Sequence, residues 1–402
     1  MARTVIIGAG QAGRRTAEAL RDLDPEAEIL LLGEEAHPPY DRPPLSKAVL
    51  LGKDPGNGLF VRAPDFYAGK RITLRTGTRV EALDLAAKQV VTAAGERIGY
   101  DSLVLATGAR ARPLPVPGAD DPRVHTLRTL EDAQAIQAAL LSKPRLAVIG
   151  GGLIGLEVAS SARQLGCSVT VLEAADRLMA RCVPPAISDM AAALHRGHGV
   201  ALHLGRTVRR IEPRPDRLLL DAGDVQVEAD LVVIGIGGIP NTALAEAAGL
   251  AVRDGILTDA CGRTSHLDVY AAGEVARFDH PFFGRQVRLE AWQVAQNQPA
   301  AVARAICGQA QPYDEIPWHW TDQFTWNLQV FGTPDPELEL IRRPAGEDRL
   351  TAIAVDAGGR ARGAVLINNG REATPVRRLI GAGKALDLAA LRDPAVPLRQ
   401  FL

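Results

Sequence analysis

A glycine-rich turn near the N-terminus constrains the fold more than any other feature of the sequence. An apolar run breaks into Gly8-Ala-Gly-Gln-Ala-Gly13, and a helical pattern follows. Gly8 permits a tight turn, Gly10 lets the backbone approach a pyrophosphate, and Gly13 lets the helix pack on the strand. A second apolar run ends at Glu34, whose carboxylate suits ribose hydroxyls. The pattern predicts a strand, turn and helix that hold a pyrophosphate at the helix N-terminus.

The same plan recurs in the middle of the chain. Gly150, Gly152 and Gly155 repeat the spacing, and a later strand pattern ends at Glu173. Two such units are far less expected by chance than one, so the sequence predicts a duplicated dinucleotide-binding unit. Two nucleotides imply two ligands, and the usual pair is FAD with a nicotinamide cofactor that passes it a hydride. The glycines do not decide which site binds which.

The carboxylate of Glu173 bears on the choice of nicotinamide cofactor. It can accept hydrogen bonds from a free ribose 2′-hydroxyl and repels a 2′-phosphate, which favours NADH over NADPH. Arg177 and Arg181 follow a few residues later and could attract a 2′-phosphate. The sequence therefore favours NADH and leaves the strictness of that preference open.

Composition and charge exclude several classes of function. The chain has 402 residues, which suggests two or three domains, and its formal net charge is -1. This balance favours neither nucleic acid nor an acidic membrane as a partner. We expect no signal peptide, no membrane span and a cytoplasmic protein. The four cysteines, at positions 167, 182, 261 and 307, have no C-x-x-C or metal-ligand spacing, so we expect neither a metal site nor a redox disulfide.

Two features remain ambiguous from the residues alone. Prolines in residues 37–47 exclude a helix interior and impose extended or turn conformations. This segment is either a rigid loop that holds Arg42 and Lys47 in place or a solvated loop with two ordinary surface cations. Trp292 precedes a helical pattern at residues 293–307 and is either a core anchor or an aromatic lid on a flavin.

Hydrophobic periodicity places the other elements. Strands are predicted at residues 72–75, 80–85, 102–108, 168–173, 200–204, 230–237, 255–258 and 266–274, with hairpin turns at residues 94–95 and 222–223 and a short helix within 240–250. From residue 313 the pattern changes to an antiparallel sheet, with segments at 317–323, 324–331, 338–341 and 350–368, followed by helical stretches after Pro375. Residues 313–402 are therefore predicted to form a separate α+β domain, for which dimerisation or packing is the simplest role.

With these features placed, the chain resembles the flavoprotein ferredoxin reductases that feed bacterial oxygenases. The group includes the reductases of aromatic-ring dioxygenases and putidaredoxin reductase, with apoptosis-inducing factor more distant. The resemblance covers essentially the whole chain, and its most specific segments are residues 42–47, 103–108, 127–132, 150–157, 270–274, 290–292 and 318–323. It implies an α/β fold with two doubly wound, glutathione-reductase-like dinucleotide-binding domains and a C-terminal α+β domain.

The resemblance also implies domain limits and cofactor contacts. A discontinuous FAD domain would cover residues 1–112 and 240–312, an NADH domain 113–239, and a C-terminal, ferredoxin-facing domain 313–402. The residues expected at FAD are Gly8, Gly10, Ala12, Gly13, Glu34, Arg42, Lys47, Val80, Ala106, Thr107, Gly108, Arg128, Gly273, Glu274 and Trp292. Those expected at NADH are Gly150, Gly152, Leu153, Ile154, Gly155, Glu157, Glu173, Arg181 and Gly237. Glu274 departs from the aspartate usual in the family, so we expect FAD to bind with a shifted contact.

The resemblance finally implies a relay of electrons from NADH through FAD to a [2Fe-2S] ferredoxin. Lys47, beside the reactive edge of the flavin, and Glu157, close to it, would be the catalytic residues. Trp320 and Arg399 would contact the ferredoxin, although Trp320 alternatively belongs to the core. A Rieske-type ferredoxin and an aromatic-ring dioxygenase are favoured over a P450 system, and the oligomeric state is not predicted. An NADH oxidase, peroxidase or disulfide reductase would need a cysteine near Ser46, and an NADH-sensing flavoprotein is a further alternative.

Overall fold

The computed structural model describes residues 2–54, 57–63, 65–333 and 335–402. Their contacts divide the chain into two compact units. Unit 1 contains the described residues of Met1–Asp41, Asn57–Arg110 and Gly238–Glu315. Unit 2 contains those of Arg42–Gly56, Ala111–Gly237 and Ile316–Leu402.

The secondary structure is numbered here in chain order. The strands are β1 (Arg3–Ile7), β2 (Glu28–Leu32), β3 (Ile72–Arg75), β4 (Val80–Asp84), β5 (Gln89–Thr92), β6 (Arg97–Gly99), β7 (Ser102–Leu105), β8 (Ala109–Ala111), β9 (Val124–Thr126), β10 (Arg145–Ile149), β11 (Ser168–Leu172), β12 (Ala201–His203), β13 (Arg210–Pro213), β14 (Leu218–Asp221), β15 (Gln226–Ala229), β16 (Leu231–Ile234), β17 (Gly238–Pro240), β18 (Ile256–Thr258), β19 (Val269–Ala271), β20 (Ala276–His280), β21 (Arg285–Val287), β22 (Trp318–Gln323), β23 (Trp326–Gly332), β24 (Glu339–Pro344), β25 (Leu350–Val355) and β26 (Ala361–Ile367). The α-helices are α1 (Gln11–Leu23), α2 (Phe66–Gly69), α3 (Leu130–Leu140), α4 (Leu153–Gln164), α5 (Pro185–Gly197), α6 (Ala243–Ala247), α7 (Trp292–Ile306), α8 (Ala373–Ala382) and α9 (Leu388–Arg392).

Unit 1 is built on a parallel sheet of order β19-β7-β1-β2-β3. After one or two polar residues at the start of each strand, its central strands are apolar and buried on both faces, as expected for a parallel sheet covered on each side. Ile6, Leu31 and Val104 pack in a cluster with residues of α1 and α7, whereas Val5 and Leu103 face a second cluster. The strands β4, β5 and β6 form an antiparallel meander beside this sheet.

Unit 2 repeats this plan and adds a third layer. Its parallel sheet has the order β12-β11-β10-β16-β9, and β13, β14 and β15 form the corresponding meander. The C-terminal part is an antiparallel sheet of order β22-β23-β26-β25-β24. Leu156 of α4 and Ile187 of α5 share one hydrophobic cluster with Leu328 and Val365 of this sheet. The α4–α5 face is therefore continuous with the core of the C-terminal sheet.

The predicted fold class is confirmed: two parallel α/β sheets are followed by a C-terminal antiparallel sheet. The third, fourth, seventh and eleventh strands begin where the sequence placed them. Elements with no counterpart in the sequence reasoning include α3, α5 and the hairpin of β20 and β21. The proline-rich segment contains a 3-10 turn at Pro43–Ser46, since a single tight turn that starts with proline does not use the missing N–H. Within the described residues, none of the helices has the length and apolar character needed to cross a membrane, and no group of three or more His, Cys, Asp or Glu side chains could hold a metal.

Candidate active site

The first glycine turn has the geometry that its spacing predicts. Gly8 has φ of +108°, and a Cβ there would lie 2.2 Å from the carbonyl oxygen of Ala106. A Cβ on Gly13 would lie 1.8 Å from the carbonyl oxygen of Gly8, so the helix can approach the strand only with glycine at this position. A Cβ on Gly10, by contrast, would meet none of the described residues within 4 Å. The first two contacts explain the turn itself, and the open space at Gly10 fits a closely approaching pyrophosphate.

Other residues expected at FAD lie around this turn in unit 1. Thr107 donates its hydroxyl to the carbonyl of Asn241 at 2.8 Å, and the Asn241 amide donates to the Thr107 carbonyl at 2.9 Å, just before Gly108 turns with φ of +63°. Gly273 packs so closely on α1 that a Cβ would lie 2.6 Å from the Cβ of Ala12. This contact fixes the 3-10 turn that carries Glu274 beside the start of α1.

The remaining expected FAD residues divide between the two units. In unit 1, Val80 is buried in β4, and Glu34 is two-thirds exposed and paired with Arg79 at 3.0 Å. Trp292 begins α7 and donates its indole N–H to Asp41 at 3.2 Å. Arg42, Lys47 and Arg128 lie in unit 2, where Arg42 donates to the carbonyl of Arg128 at 2.6 Å.

The second glycine turn reproduces the first. Gly150 has φ of +110°, and a Cβ there would lie 2.4 Å from the carbonyl oxygen of Gly235. A Cβ on Gly155 would lie 2.1 Å from the carbonyl oxygen of Gly150, whereas one on Gly152 would be 4.0 Å from Gly235. Leu153 and Ile154 form the first turn of α4, and Ile154 is nearly half exposed.

The acidic and basic residues near this second turn have distinct environments. Glu173 accepts hydrogen bonds from the backbone N–H groups of Gly151 and Ala175. Arg177 is fully engaged, because its guanidinium donates to the carbonyls of Val183 and Ala180 at 2.7 Å. Arg181 is exposed, and its guanidinium would lie 3.2 Å from a Cβ on Gly237, which has φ of +101°. Of the two arginines, only Arg181 is therefore placed to reach a ligand.

Glu157 and Lys47 meet in a polar cluster within unit 2. The ammonium of Lys47 lies 3.1 Å from Glu157 Oε1 and 3.4 Å from Asp322 Oδ2. Ser46 donates its hydroxyl to Glu157 Oε2, and Thr321 donates to Oε1 at 2.6 Å. The 3-10 turn before Lys47, helix α4 and strand β22 each supply part of the cluster.

Burial sets the electrostatics of this cluster. Glu157 is only 3% exposed. Removal from water raises the pKa of Glu157, and Lys47, Ser46 and Thr321 oppose this rise without cancelling it. Lys47 itself is partly open to solvent, with 19% of its side chain exposed. The Glu157–Lys47 pair thus combines a carboxylate that is shielded from solvent with an ammonium that a ligand can reach.

Two tryptophans of β22 adjoin this pair. The rings of Trp318 and Trp320 stack with centroids 5.0 Å apart and an angle of 17°. The Lys47 ammonium lies 5.6 Å from the centroid of the Trp320 ring, within range of a cation–π interaction. Both rings are half-buried, and Arg399 is exposed on the last 3-10 turn.

Sequence reasoning did not assign roles to three members of the cluster. Ser46, Thr321 and Asp322 contact Glu157 or Lys47 directly. Thr321 and Asp322 fall within residues 318–323, one of the segments that carried the resemblance. The resemblance therefore pointed to this segment, but it did not indicate what these two side chains do. Their contacts span more than 160 residues of sequence, which no local spacing can reveal.

Comparison with known proteins matches both parts of the chain. Residues 2–299 match the pyridine nucleotide-disulphide oxidoreductase family, and residues 318–402 match the reductase C-terminal family. The ferredoxin–NAD(+) reductase component of an anthranilate 1,2-dioxygenase system from Burkholderia cepacia is 44% identical over 99% of this chain and 98% of its own length. The protein belongs to the ferredoxin–NAD(+) reductases of this family. It is an oxidoreductase, and the predicted resemblance is confirmed.

Solved structures of such reductases agree with the whole fold. A ferredoxin reductase for the CYP199A2 system from Rhodopseudomonas palustris has a TM-score of 0.96 and 36% identity, covering 100% of this chain and 99% of that one. The reductase in a covalent putidaredoxin reductase–putidaredoxin complex has a TM-score of 0.94 and 36% identity, covering 100% and 98% of the two chains. The C-terminal sheet is thus part of the architecture that this reductase shares with both.

Proposed function

We propose that this reductase passes electrons from NADH through FAD to a [2Fe-2S] ferredoxin, which serves an aromatic-ring dioxygenase. The observation that carries the proposal is the chemistry of the polar cluster. Lys47 and Glu157 are surrounded by hydroxyl, carboxylate and indole groups. A disulfide reductase would need a cysteine near Ser46, and Ser46 itself carries a hydroxyl that donates to Glu157. The four cysteines lie elsewhere, two of them buried. Such a site suits electron transfer without a covalent intermediate.

In this proposal the two glycine turns hold the two nucleotides. Residues 1–112 and 240–312 would form the FAD domain, 113–239 the NADH domain, and 313–402 the C-terminal domain that faces the ferredoxin. The open space over Gly10 and Gly152 supports this assignment, because a pyrophosphate needs close access to the backbone at these positions. FAD, when bound, supplies the conversion of two-electron into one-electron chemistry.

The residues of this chain would bind and orient the reactants. Glu173 would accept hydrogen bonds from the ribose hydroxyls of NADH, and Glu274 would accept hydrogen bonds from the ribityl chain of FAD. Lys47 would supply positive charge where negative charge develops on the flavin, which is an electrostatic role that needs no proton transfer. Glu157 would hold that ammonium in place through the contact at 3.1 Å.

The relatives support a choice of partner without deciding it. The 44% identical relative from Burkholderia cepacia is a component of an anthranilate dioxygenase system, which favours a dioxygenase and a Rieske-type ferredoxin. The Rhodopseudomonas palustris structure belongs to a CYP199A2 system, so a P450-type ferredoxin is the second candidate.

The decisive experiment measures NADH consumption coupled to cytochrome c reduction. The purified flavoprotein is tested alone, with a Rieske-type ferredoxin and with a four-cysteine ferredoxin. We expect a large stimulation by the Rieske-type ferredoxin. A larger stimulation by the four-cysteine ferredoxin would favour the P450 system. Bleaching of the flavin by NADH with no stimulation by either ferredoxin would refute the proposed electron transfer and favour an oxidase or a sensor.

A surface variant tests the expected docking face. We expect Arg399→Ala to lower the ferredoxin-dependent rate and to weaken its dependence on salt, because an exposed arginine would steer an acidic partner. Arg217→Ala is the matched control, an arginine of the β13–β14 turn paired with acidic residues at the surface. Reduction of ferricyanide by NADH should stay unchanged in both variants. Equal losses of ferredoxin-dependent rate in the two variants would contradict this docking face.

A further inference from the structure

A line of buried polar side chains leads away from Glu157. Thr321 is 0% exposed, Gln323 2% and His195 0%. Thr321 Oγ1 lies 2.6 Å from Glu157 Oε1, Gln323 Nε2 lies 3.2 Å from Thr321 Oγ1, and His195 Nε2 lies 2.9 Å from Gln323 Oε1. The line therefore joins helix α5 to helix α4 through two residues of strand β22.

The direction of each hydrogen bond follows from the position of Met179, because its thioether sulfur can only accept. The amide nitrogen of Gln323 also lies 3.7 Å from the thioether sulfur of Met179, which has no hydrogen to donate. The nitrogen of the Gln323 amide must therefore face Met179 and Thr321, and its oxygen must face His195. That oxygen accepts, so His195 must donate from Nε2.

The same reasoning continues to the carboxylate. Because the hydroxyl oxygen of Thr321 accepts from Gln323, its single hydrogen is free to point at Glu157. A neutral His195 with its proton on Nε2 has no proton on Nδ1, which agrees with the finding that Nδ1 has no partner among the described residues. Burial lowers the pKa of His195 to about 4, which keeps the ring neutral near pH 7. Each donor then points toward Glu157.

We propose that His195, Gln323 and Thr321 form a one-directional hydrogen-bond chain that ends on Glu157 and stabilises it in the ionised form that pairs with Lys47. In the described part of the chain, none of the three contacts Lys47, so they act as positioning residues. Each hydrogen bond polarises the next in a chain of this kind, and a donor to a charged group contributes more than a donor to a neutral one. The chain thus offsets part of the effect of burial on Glu157.

In the described part of the chain, other charged or titratable groups also lie near the two ends of this line. At Glu157 they are Lys47, at 3.1 Å, and Asp322, whose carboxylate binds the same ammonium at 3.4 Å. At His195 the neighbouring titratable group is His198, whose ring stacks on Phe324. The hydrogen-bond chain therefore acts on the pKa of Glu157 separately from the contact between Glu157 and Lys47.

The first measurement determines the tautomer of His195. The first experiment is nitrogen NMR of the full chain labelled at histidine, with flavin bound and NADH absent. His195 should be neutral, with its proton on Nε2, across pH 6–8, because its pKa is lowered to about 4. His195→Gln identifies the resonance. A proton on Nδ1, or a charged ring in this window, would overturn the proposed direction.

The second measurement follows the protonation of Glu157. Infrared spectra recorded against pH should contain a protonated-carboxyl band that is absent from Glu157→Gln. We expect Thr321→Val to raise the midpoint pH of this band by about one unit and His195→Leu to raise it by about 0.3 unit, because the second change is two hydrogen bonds away. Thr321→Ser and His195→Gln keep a donor and should stay close to the parent midpoint.

The outcomes separate a polarised chain from simple packing. If His195→Leu and His195→Gln give the same midpoint as the parent protein, the chain does not act on Glu157 and the proposal is wrong. If His195→Leu does not fold, the tautomer and the pair of Thr321 variants still decide it. These measurements use neither NADH nor ferredoxin, so they do not depend on the proposed function; only an effect of His195→Leu on the rate of flavin reduction rests on that function.

Discussion

Replacing Lys47 by methionine should destabilise the fold in a way that depends on pH. The substitution keeps most of the aliphatic volume and removes the ammonium that lies 3.1 Å from Glu157 Oε1. At an effective dielectric constant of about 20, the attraction at this distance is about 5 kcal/mol. Removing one partner of a buried pair typically costs about 3–5 kcal/mol, because it leaves an uncompensated charge.

The remaining contacts place the expected loss at the lower end of this range. Ser46 and Thr321 still donate to the carboxylate, and 19% of the Lys47 side chain is already in water. We therefore expect Lys47→Met to lower the free energy of unfolding by about 3 kcal/mol at pH 8. The pKa of Glu157 is already raised by burial, and without Lys47 it rises further.

The sign of the pH dependence follows from this direction. A carboxyl group whose pKa is higher in the folded than in the unfolded state favours folding at low pH, and this contribution is lost as pH rises through the folded-state pKa. At pH 5, Glu157 in the variant can take a proton and avoid the uncompensated charge. The loss should therefore shrink to about 1 kcal/mol at pH 5.

Urea unfolding, followed by circular dichroism at pH 5 and pH 8, measures both losses. Glu157→Gln and the double variant complete a double-mutant cycle. In the Glu157→Gln background, Lys47→Met should lower the free energy of unfolding by less than about 1 kcal/mol. Asp322→Asn is the matched control, because Asp322 is 44% exposed and its contact with Lys47 should contribute little. A loss for Lys47→Met that is equal at both pH values and unchanged in the Glu157→Gln background would refute the reasoning.

Three further predictions concern the nucleotide sites. Gly10→Ala should leave the unfolding temperature of the flavin-free chain unchanged but weaken FAD binding by about tenfold or more, as measured by fluorescence titration. Gly13→Ala should instead impair folding, because its Cβ would meet the carbonyl of Gly8. Normal FAD binding by Gly10→Ala would place the flavin elsewhere. Glu173→Ser should raise the ratio of kcat/KM for NADPH to that for NADH, and an unchanged ratio would show that the carboxylate does not select the cofactor. Glu274→Asp, which restores the usual residue of the family, should tighten FAD binding, and a weaker binding would show that the longer side chain is adapted to this site.

The sequence predicted the two glycine turns and their parallel sheets because local rules determine them. Gly8 and Gly150 adopt φ values near +110°, a region that favours glycine, so the turns can be read from residue type and spacing alone. Strand β2, for example, is a continuous apolar run from Ile29 to Leu32, as is typical of parallel sheets buried on both faces. The hairpin of β20 and β21 was missed because its first strand is stabilised by parallel pairing with β18, about 20 residues earlier, and not by a local pattern.

The polar cluster could be predicted only in part. Lys47 and Glu157 came from the resemblance, not from any rule of spacing. The link of Thr321 to Glu157 joins residues 164 positions apart, and that of Gln323 to His195 joins residues 128 positions apart. Contacts of this kind depend on how the C-terminal sheet packs on α4 and α5, which the residue pattern of a single sequence does not contain.

The two halves show how one scaffold supports different roles for a buried carboxylate. In unit 1, Glu18 of α1 is 6% exposed; in unit 2, Glu157 of α4 is 3% exposed. Burial alone pushes the pKa of both side chains upward. The guanidinium groups within 3 Å of Glu18 are those of Arg14, Arg15 and Arg62.

The number of cations decides the result. Three guanidinium groups overcome the burial of Glu18 and lower its pKa, so this carboxylate stays ionised and ties Arg62 to α1. Glu157 has one ammonium and two hydroxyl donors, which leave its pKa raised. The lowered pKa keeps Glu18 ionised, whereas the raised pKa of Glu157 makes its protonation easier. The glycine turn is therefore repeated in both units, whereas the cations near the following helix shift the pKa of the buried carboxylate in opposite directions.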